Sequence, residues 1–187
     1  MLVDGKTIAS KIYSELKSEL EELGRHPCLA VFTSAPNAET KKFLELKKKR
    51  AQEIGVDVFL LELDKDVTTE EAIAAIEGGV GTADGMIVQL PFPPQVDAEK
   101  LLAAVPKELD VDALHFQGED TDVLPPVIGA IAEISKRHQV EFSGKNVVVV
   151  GQGRLVGQPA VLAKADVTPA FGQAHAVDSF RVGDAAP

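Results

Sequence analysis

Strand-like and helix-like segments alternate along the first 105 residues, and this alternation constrains the fold more than any other feature of the sequence. Apolar residues at helical spacing, with capping residues before them and glycines after them, predict helices over 8–23, 37–54, 68–76 and 98–105. Short apolar runs between them predict strands over 28–33, 56–63 and 86–89. Because strands separated by helices usually pair in parallel, we expect an α/β fold with a parallel sheet flanked by helices.

The second half of the chain follows a sparser pattern. A loop-like stretch over 106–126 carries several acidic residues and ends in two prolines, and a helix over 128–137 and a strand over 146–150 follow it. We place a domain boundary near residue 120, which gives domains of 1–120 and 121–187. After residue 169 no apolar periodicity is visible, although 165–168 is a candidate strand.

Composition excludes several classes of function. The net charge of -10 argues against a nucleic-acid surface, which needs a clustered basic face. No apolar run approaches the ~20 residues of a membrane span, and the N-terminus does not resemble a signal peptide. Cys28 is the only cysteine and sits in an apolar run, so we expect a buried structural thiol, no internal disulfide and a cytoplasmic protein. The four histidines lack metal-ligand spacing, which leaves a metal site unsupported.

Lys47 is the first candidate functional residue. It falls on the face of the second predicted helix that also carries Thr40 and Phe43, with Leu44, Leu46 and Ala51 beside it. Such a lysine often only lays its stem along the edge of a core. A lysine partly removed from water is also primed for proton transfer, so both interpretations stay open.

Two further stretches carry polar residues where ligands often bind. Gln89 ends an apolar strand and precedes Leu90 and Pro91, and open α/β sheets bind ligands at the carboxyl ends of their strands. Capping of the strand end is the alternative role for this glutamine. Asp110 and Asp112 lie in the loop-like stretch, where an acidic loop is usually only solvated.

The strand over 146–150 runs directly into a glycine-rich turn. Gly151, Gly153 and Gly157 have the spacing G-x-G-x-x-x-G, with Arg154 among them, and a helix is expected to follow. Backbone N–H groups in such a turn suit phosphate binding. The spacing differs from the usual G-x-G-x-x-G, and no acidic residue ends a clear second strand to hold a ribose.

In this order, the four stretches resemble the bifunctional methylenetetrahydrofolate dehydrogenase/cyclohydrolase family. The resemblance extends over about residues 1–160. It rests on the helix with Lys47 and its Glu-Ile-Gly end, on the Asp84–Pro93 stretch, on the acidic loop 106–115, and on Pro125-Pro126 with the 144–159 stretch.

The resemblance implies a folate-binding α/β domain followed by the start of an incomplete Rossmann-type dinucleotide-binding domain. It implies oxidation of 5,10-methylenetetrahydrofolate with NADP or NAD and hydrolysis of the methenyl product to 10-formyltetrahydrofolate. Lys47 would be the catalytic lysine, Gln89 would orient it, and Asp112 would hold the pterin ring. The remaining implied residues are Thr40, Phe43, Leu90 and Pro91 for substrate, and Gly151, Gly153, Arg154 and Gly157 for cofactor. A homodimer is implied as well.

The sequence departs from the family at several points. Phe43 replaces the family tyrosine and lacks its hydroxyl, Thr40 replaces a serine, and Ala113 replaces a glycine. The stretch that normally carries Gly-Asp reads Thr33-Ser34-Ala35-Pro36. With 28 residues after Pro159, we expect the first strand of the second domain to have unpaired edges and an uncovered face, and tight NAD(P) binding to be absent.

Two alternatives remain open. A catalytically silent or cyclohydrolase-only folate-binding chain accounts for Phe43 and for the short tail. A different two-domain dehydrogenase, acting on shikimate-like acids, would share the α/β pattern and the glycine turn. It gives no reason for Gln89-Leu90-Pro91 or for the acids around Val111.

Overall fold

The computed structural model describes residues 2–114, 116, 123–142, 147–151, 153–163 and 174–177. The chain forms two compact units, Met1–Val111 and Asp112–Pro187. The boundary expected near residue 120 lies slightly later in the chain than this division. Among the described residues, no helix is both long enough and apolar enough to cross a membrane.

The first unit confirms the predicted parallel α/β architecture. Its helices are α1 (Gly5–Leu23), α2 (Ala38–Ile54), α3 (Thr69–Gly79) and α4 (Ala98–Ala103), and a 3-10 turn spans Lys107–Leu109. Its strands are β1 (Cys28–Ser34), β2 (Asp57–Leu63) and β3 (Gly85–Val88). The sheet order is β2-β1-β3 with both pairings parallel, so β1 is central.

Side-chain caps fix where these helices begin. The Asp4 carboxylate accepts hydrogen bonds from the N–H groups of Lys6 and Thr7, which starts α1 three residues before its predicted start. Asn37 caps α2, and Thr68 and Glu71 form the predicted capping box of α3. Each cap satisfies N–H groups that the first helical turn leaves without a partner, which contributes about 1 kcal/mol per helix.

Both faces of the sheet are covered by helices. On one face, Leu44 of α2 packs against Val31 and Ile87. On the other face, the end of α3 approaches Phe32 and Met86 so closely that a Cβ at Gly79 would lie 3.0 Å from the Phe32 ring. Burial of an aliphatic or aromatic side chain contributes about 1.5–3 kcal/mol to stability. The helices on both faces therefore hold the sheet in place.

The second unit contains α5 (Pro126–Arg137), β4 (Val147–Val150), α6 (Gly157–Leu162) and β5 (Ala174–Val177). Ile128, Ala160 and Ala163 form its buried cluster, against which Val149 packs.

The prediction of unpaired edges for the first strand of this unit was wrong for one edge, because β5 pairs with β4 in parallel. The four residues of β5 are too few to show a period in the sequence. The other expectation, an uncovered face, is confirmed for two β4 side chains, since Val148 and Val150 are 62% and 64% exposed. The candidate strand at 165–168 lies outside the described residues.

Candidate active site

The carboxyl ends of β1 and β3 lie side by side at one end of the sheet, which is called the carboxyl edge below. The Gln89 N–H, just after β3, donates to the carbonyl of Phe32 at 2.8 Å and so continues the ladder beyond the assigned strand. Parallel strands present their carboxyl ends on the same side, which is where open α/β sheets bind ligands. The sheet therefore places Gln89 at the edge expected from the sequence.

Lys47 and Gln89 are brought together although 42 residues separate them. The Lys47 ammonium donates to Gln89 Oε1 at 3.2 Å, across from α2 to the end of β3. Gln89 Nε2 donates to the Leu90 carbonyl, also at 3.2 Å. A backbone carbonyl can only accept, so this second bond turns Nε2 away and presents Oε1 to the lysine. The amide is thus oriented to hold one N–H of Lys47.

The position of Lys47 on α2 explains how it can reach Gln89. Leu44 and Ala51 are the buried residues of this helix, and Lys47 lies half-buried between them. Side chains of a helix point toward its N-terminus, which here lies near the carboxyl ends of the strands. The predicted apolar neighbours are only partly right, because Leu46 is exposed.

Phe43 lies one helical turn before Lys47, with its ring centroid 5.0 Å from Lys47 Nζ. This is cation–π range, so the ring holds the ammonium from one side while Gln89 holds it from another. Phe43 is 51% exposed, which leaves a ring surface open to a ligand. Thr40, a further turn back, is half-buried, and its N–H bonds to the Asn37 side chain.

Leu90 and Pro91 extend the chain past Gln89. Leu90 is half-buried, Pro91 is exposed, and the peptide bond between them is cis. These residues follow Gln89 directly, so they line the same edge of the sheet. Thr40, Phe43, Lys47, Gln89, Leu90 and Pro91 all belong to the first unit.

The acidic loop divides into two parts. Asp110 is buried and forms a bridge with Met86, and Val111 lies against β3, where a Cβ at Gly85 would come within 2.6 Å of its side chain. Asp112 is half-buried and is the first residue of the second unit. Its role in holding a pterin ring therefore stays a prediction.

The glycine turn after β4 fits a dinucleotide phosphate only in part. Gly151 has φ +104, and open space surrounds the Cβ positions of Gly151 and Gly153. The N–H groups of Val156 and Gln158 both donate to the Gly153 carbonyl, so they are turned inward. Gly157 is buried, Arg154 is half-buried, and α6 has six residues. The roles of these residues toward NADP or NAD stay predictions.

An ion pair holds the amino ends of β1 and β3 together, at the end of the sheet opposite the candidate site. The two terminal guanidinium nitrogens of Arg25 donate to the two Asp84 oxygens, at 2.8 and 2.6 Å, and the Cys28 N–H donates to the same carboxylate. These hydrogen bonds, led by that of Arg25, lower the pKa of Asp84 to about 2. Asp84 thereby ties the start of β3 to the start of β1. Cys28 itself is half-buried, less deeply than its apolar run predicts.

Thr33 is the residue at this site that the sequence analysis did not single out. It lies one residue before the end of β1, its exposure is 0%, and its hydroxyl oxygen is buried without a hydrogen-bond partner among the described residues. The available signal was the same as for Gln89: a polar residue at the carboxyl end of a buried parallel strand. Among the described residues, no cluster of three or more His, Cys, Asp or Glu side chains could hold a metal ion.

The sequence and the fold match one protein family. The family profile of the tetrahydrofolate dehydrogenase/cyclohydrolase catalytic domain matches residues 3–112. The chain belongs to this family. The matched range contains Lys47, Gln89 and Asp112, and it ends where the second unit begins.

Individual relatives agree with the family profile. The bifunctional protein FolD of Rickettsia bellii is 35% identical over 171 residues, which is 84% of this chain and 60% of that protein. The FolD protein of Listeria innocua is 34% identical over 170 residues, with the same two coverages. The chain therefore spans about 60% of the length of the curated relatives it matches.

Solved structures give the same result for the fold. The bifunctional FolD enzyme of Campylobacter jejuni superposes with a TM-score of 0.86 at 25% identity, over 95% of this chain and 66% of that one. The enzyme of Trypanosoma brucei, solved with NADP cofactor and an inhibitor, superposes with a TM-score of 0.83 at 26% identity, over 95% and 64%.

Proposed function

We propose that this chain is a folate enzyme of one-carbon metabolism that holds tetrahydrofolate derivatives at the Lys47–Gln89 edge of its sheet. The observation that carries the proposal is the hydrogen bond from Lys47 Nζ to Gln89 Oε1 beside an exposed aromatic ring. A cationic amine, an oriented amide and a ring face are the groups that a flat, polar heterocycle would engage. Family membership supplies the substrate class.

The reaction that these residues support best is hydrolysis of the methenyl compound to 10-formyltetrahydrofolate. Water adds to the methenyl carbon, the bond from that carbon to N5 breaks, and one proton is released overall. Lys47 can carry a proton between the attacking water and N5, because Gln89 and Phe43 hold its nitrogen in place. A positioned acid–base group of this kind typically contributes about 10²- to 10⁴-fold to a rate.

The family's dehydrogenase reaction belongs to the same proposal. A nicotinamide cofactor, NADP or NAD, would supply the hydride acceptor. In this chain Gly151 and Gly153 leave room for a phosphate, and Arg154 offers a positive charge. The inward-turned N–H groups of Val156 and Gln158 oppose tight binding. We therefore propose that hydrolysis exceeds oxidation in this chain.

A folate-binding chain without turnover is the second candidate, and Phe43 favours it. The phenyl ring can stack on a substrate, but it supplies no hydroxyl for hydrogen bonding or proton transfer. The two candidates differ only in turnover, since both keep folate binding at the same edge.

The test is hydrolysis of methenyltetrahydrofolate by the wild type, Lys47→Ala and Lys48→Ala. Lys48 is the matched control because it lies on the same helix and is exposed. We expect Lys47→Ala to lower the rate about 10²- to 10⁴-fold and Lys48→Ala to leave it unchanged. Equal rates in wild type and Lys47→Ala would remove Lys47 from catalysis, and no hydrolysis by a wild type that binds folate would favour the silent candidate.

Two assignments extend this proposal. Asp112 would hold the pterin ring through a charge-assisted contact, and Asp112→Ala would then weaken folate binding while leaving the fold intact. A cytoplasmic homodimer would fit the family, and the exposed Val148 and Val150 supply apolar surface that favours association. Sedimentation equilibrium decides the second point, since a monomer at micromolar concentration would exclude the dimer.

A further inference from the structure

A groove of about 580 Å³ lies between α1 and α2, apart from the candidate active site. Its volume falls within the range of small-molecule sites, roughly 300–1,000 Å³. Neither Lys47 nor Gln89 lines it, and both helices that form it belong to the first unit. The polar side chains along its walls include Lys6, Ser10, Tyr13, Lys17, Arg50 and Glu53.

The groove is positively charged, although the chain as a whole is acidic. Lys6, Lys17 and Arg50 line it, and Glu53 is the one carboxylate among the lining residues, which gives a net charge of +2 in a chain of net charge -10. Among the described residues, neither lysine forms an ion pair. Charges of one sign collected in a groove attract ions of the other sign. The charge of the groove therefore favours an anionic ligand.

Arg50 is held in place from two sides. Its guanidinium carbon lies 5.6 Å from the centroid of the Tyr13 ring, within cation–π range. One terminal nitrogen donates to the Glu53 carboxylate at 2.6 Å. A guanidinium has five N–H groups, so four remain for a ligand, and among the described residues they have no partner. A side chain that is already ordered loses less entropy when a ligand binds.

The cationic groups are spread along the groove rather than collected at one point. Lys6 and Lys17 are separated by about 16 Å along the axis of α1. Tyr13, which contacts Arg50, lies about one turn before Lys17, so Arg50 is nearer to the Lys17 end. A ligand with anionic groups along its length would engage both ends, whereas a single compact anion would engage only one.

We propose that the groove between α1 and α2 binds a small, elongated polyanion, a molecule with phosphate or carboxylate groups along its length. Arg50 binds one anionic group through its planar fork of N–H donors, Lys17 neutralises the same end, and Lys6 binds the far end. The Ser10 hydroxyl, on α1 between the two lysines, can donate a further hydrogen bond. The groove is separate from the candidate active site, so this proposal does not rest on the proposed function.

The test is calorimetric titration of the full chain with two polyanions, inorganic tripolyphosphate and the peptide triglutamate, in a low-salt buffer without phosphate. We expect saturable binding of one molecule per chain for at least one of the two. Binding of tripolyphosphate alone assigns the groove to phosphate groups, binding of triglutamate alone assigns it to carboxylates, and binding of both assigns it to either group. No saturable binding of either probe by the folded chain overturns the proposal.

Matched variants separate the groove from the general charge of the chain. Arg50→Gln and Lys17→Gln each remove a cation from the groove. Lys49→Gln and Lys11→Gln remove a cation from exposed positions of the same two helices outside it. We expect the groove variants to weaken binding by about tenfold or more and the controls by less than about twofold. Equal weakening in all four variants would overturn the proposal.

The shape of the arginine can be tested apart from its charge. Arg50→Lys keeps the positive charge but loses the planar fork, so we expect its affinity to lie between those of wild type and Arg50→Gln. Thermal unfolding checks that each variant folds. Should the Arg50 variants not fold, Lys17→Gln decides the question, because Lys17 is exposed. Wild-type affinity in Lys17→Gln would then overturn the proposal.

Discussion

The carboxyl edge of the first unit and the glycine turn of the second unit are both formed where a parallel strand ends, yet their described hydrogen bonds differ. At the first edge, Lys47 from α2 meets Gln89, whose amide is fixed by the Leu90 carbonyl. At the glycine turn, the N–H groups of Val156 and Gln158 donate to the Gly153 carbonyl. The comparison indicates that polar groups at a strand end can bind a ligand when neighbouring residues orient them toward solvent, as the Leu90 carbonyl orients Gln89.

The contacts behind the first edge are those of a core that closes on both faces of the sheet. Leu44 packs on Val31 and Ile87, one turn before Lys47. In the second unit, Val149 packs on the Ile128 cluster, but Val148 and Val150 remain exposed on β4. Among the described residues of the second unit, one buried cluster packs on β4, whereas helices pack on both faces of the first sheet. The predictions below probe this difference, from the largest expected effect to the smallest.

Truncation of Leu44 should have the largest effect on the stability of the chain. Leu44→Ala removes a buried side chain between α2 and the sheet, and we expect it to lower the free energy of unfolding by about 2–5 kcal/mol. Leu46→Ala, on the exposed side of the same helix, should change it by less than about 0.5 kcal/mol. Urea unfolding measures both, and similar values for the two would contradict the placement of α2.

Adding a side chain at the glycine turn should lower the free energy of unfolding by less than Leu44→Ala does. Gly151 has φ +104, a conformation that residues with a Cβ rarely adopt, whereas the φ of Gly153 is not positive. We expect Gly151→Ala to destabilise the chain by about 1–3 kcal/mol and Gly153→Ala by clearly less. Thermal unfolding compares the two variants. If they were equally stable, the conformation described for the turn would be wrong.

The reverse substitution should stabilise the chain at two alanines. Ala35 and Ala113 have φ values of 43 and 47, in the left-handed region that favours glycine. Because glycine relieves this strain but costs entropy, we expect Ala35→Gly and Ala113→Gly each to stabilise by about 0.5–1 kcal/mol net. Ala30→Gly, in the middle of β1, is the control and should destabilise. A loss of stability in Ala35→Gly would contradict the described backbone.

The smallest effect concerns pH. The pKa of Asp84 is lowered to about 2 in the folded chain, so its ion pair contributes stability above the unfolded pKa of about 3.9. That contribution is lost as the pH falls from about 4 through 2. Asp84→Asn should remove this part of the acid dependence, as followed by unfolding curves at pH 2 to 6. Unchanged acid dependence would mean that the Arg25 bond contributes nothing.

Much of the first unit could be predicted from the sequence, because its signals are local. Asn37, Thr68 and Glu71 act within one helical turn, so the starts of α2 and α3 could be predicted. Lys47 and Gln89 were found because each interrupts an apolar pattern. Their hydrogen bond was expected from the family resemblance alone, because it joins residues 42 apart and depends on how α2 packs on the sheet.

The rest could not be predicted because its causes are not local. The pairing of β5 with β4 depends on partners across the chain and leaves no period in four residues. The full burial of the Thr33 side chain depends on tertiary packing, which the local sequence does not show. Asp110, which the acidic loop suggested would be solvated, is instead buried, and its backbone forms a bridge with the distant Met86.

Calorimetric titration with a reduced-folate analogue tests the central claim most directly, using wild type, Gln89→Leu and Gly153→Ala. We predict saturable binding by the wild type and by Gly153→Ala, and binding at least about tenfold weaker by Gln89→Leu, because the amide that holds Lys47 is lost. Absent binding by the folded wild type, or loss of binding in Gly153→Ala with Gln89→Leu unaffected, would contradict a folate site at the carboxyl edge of the first unit.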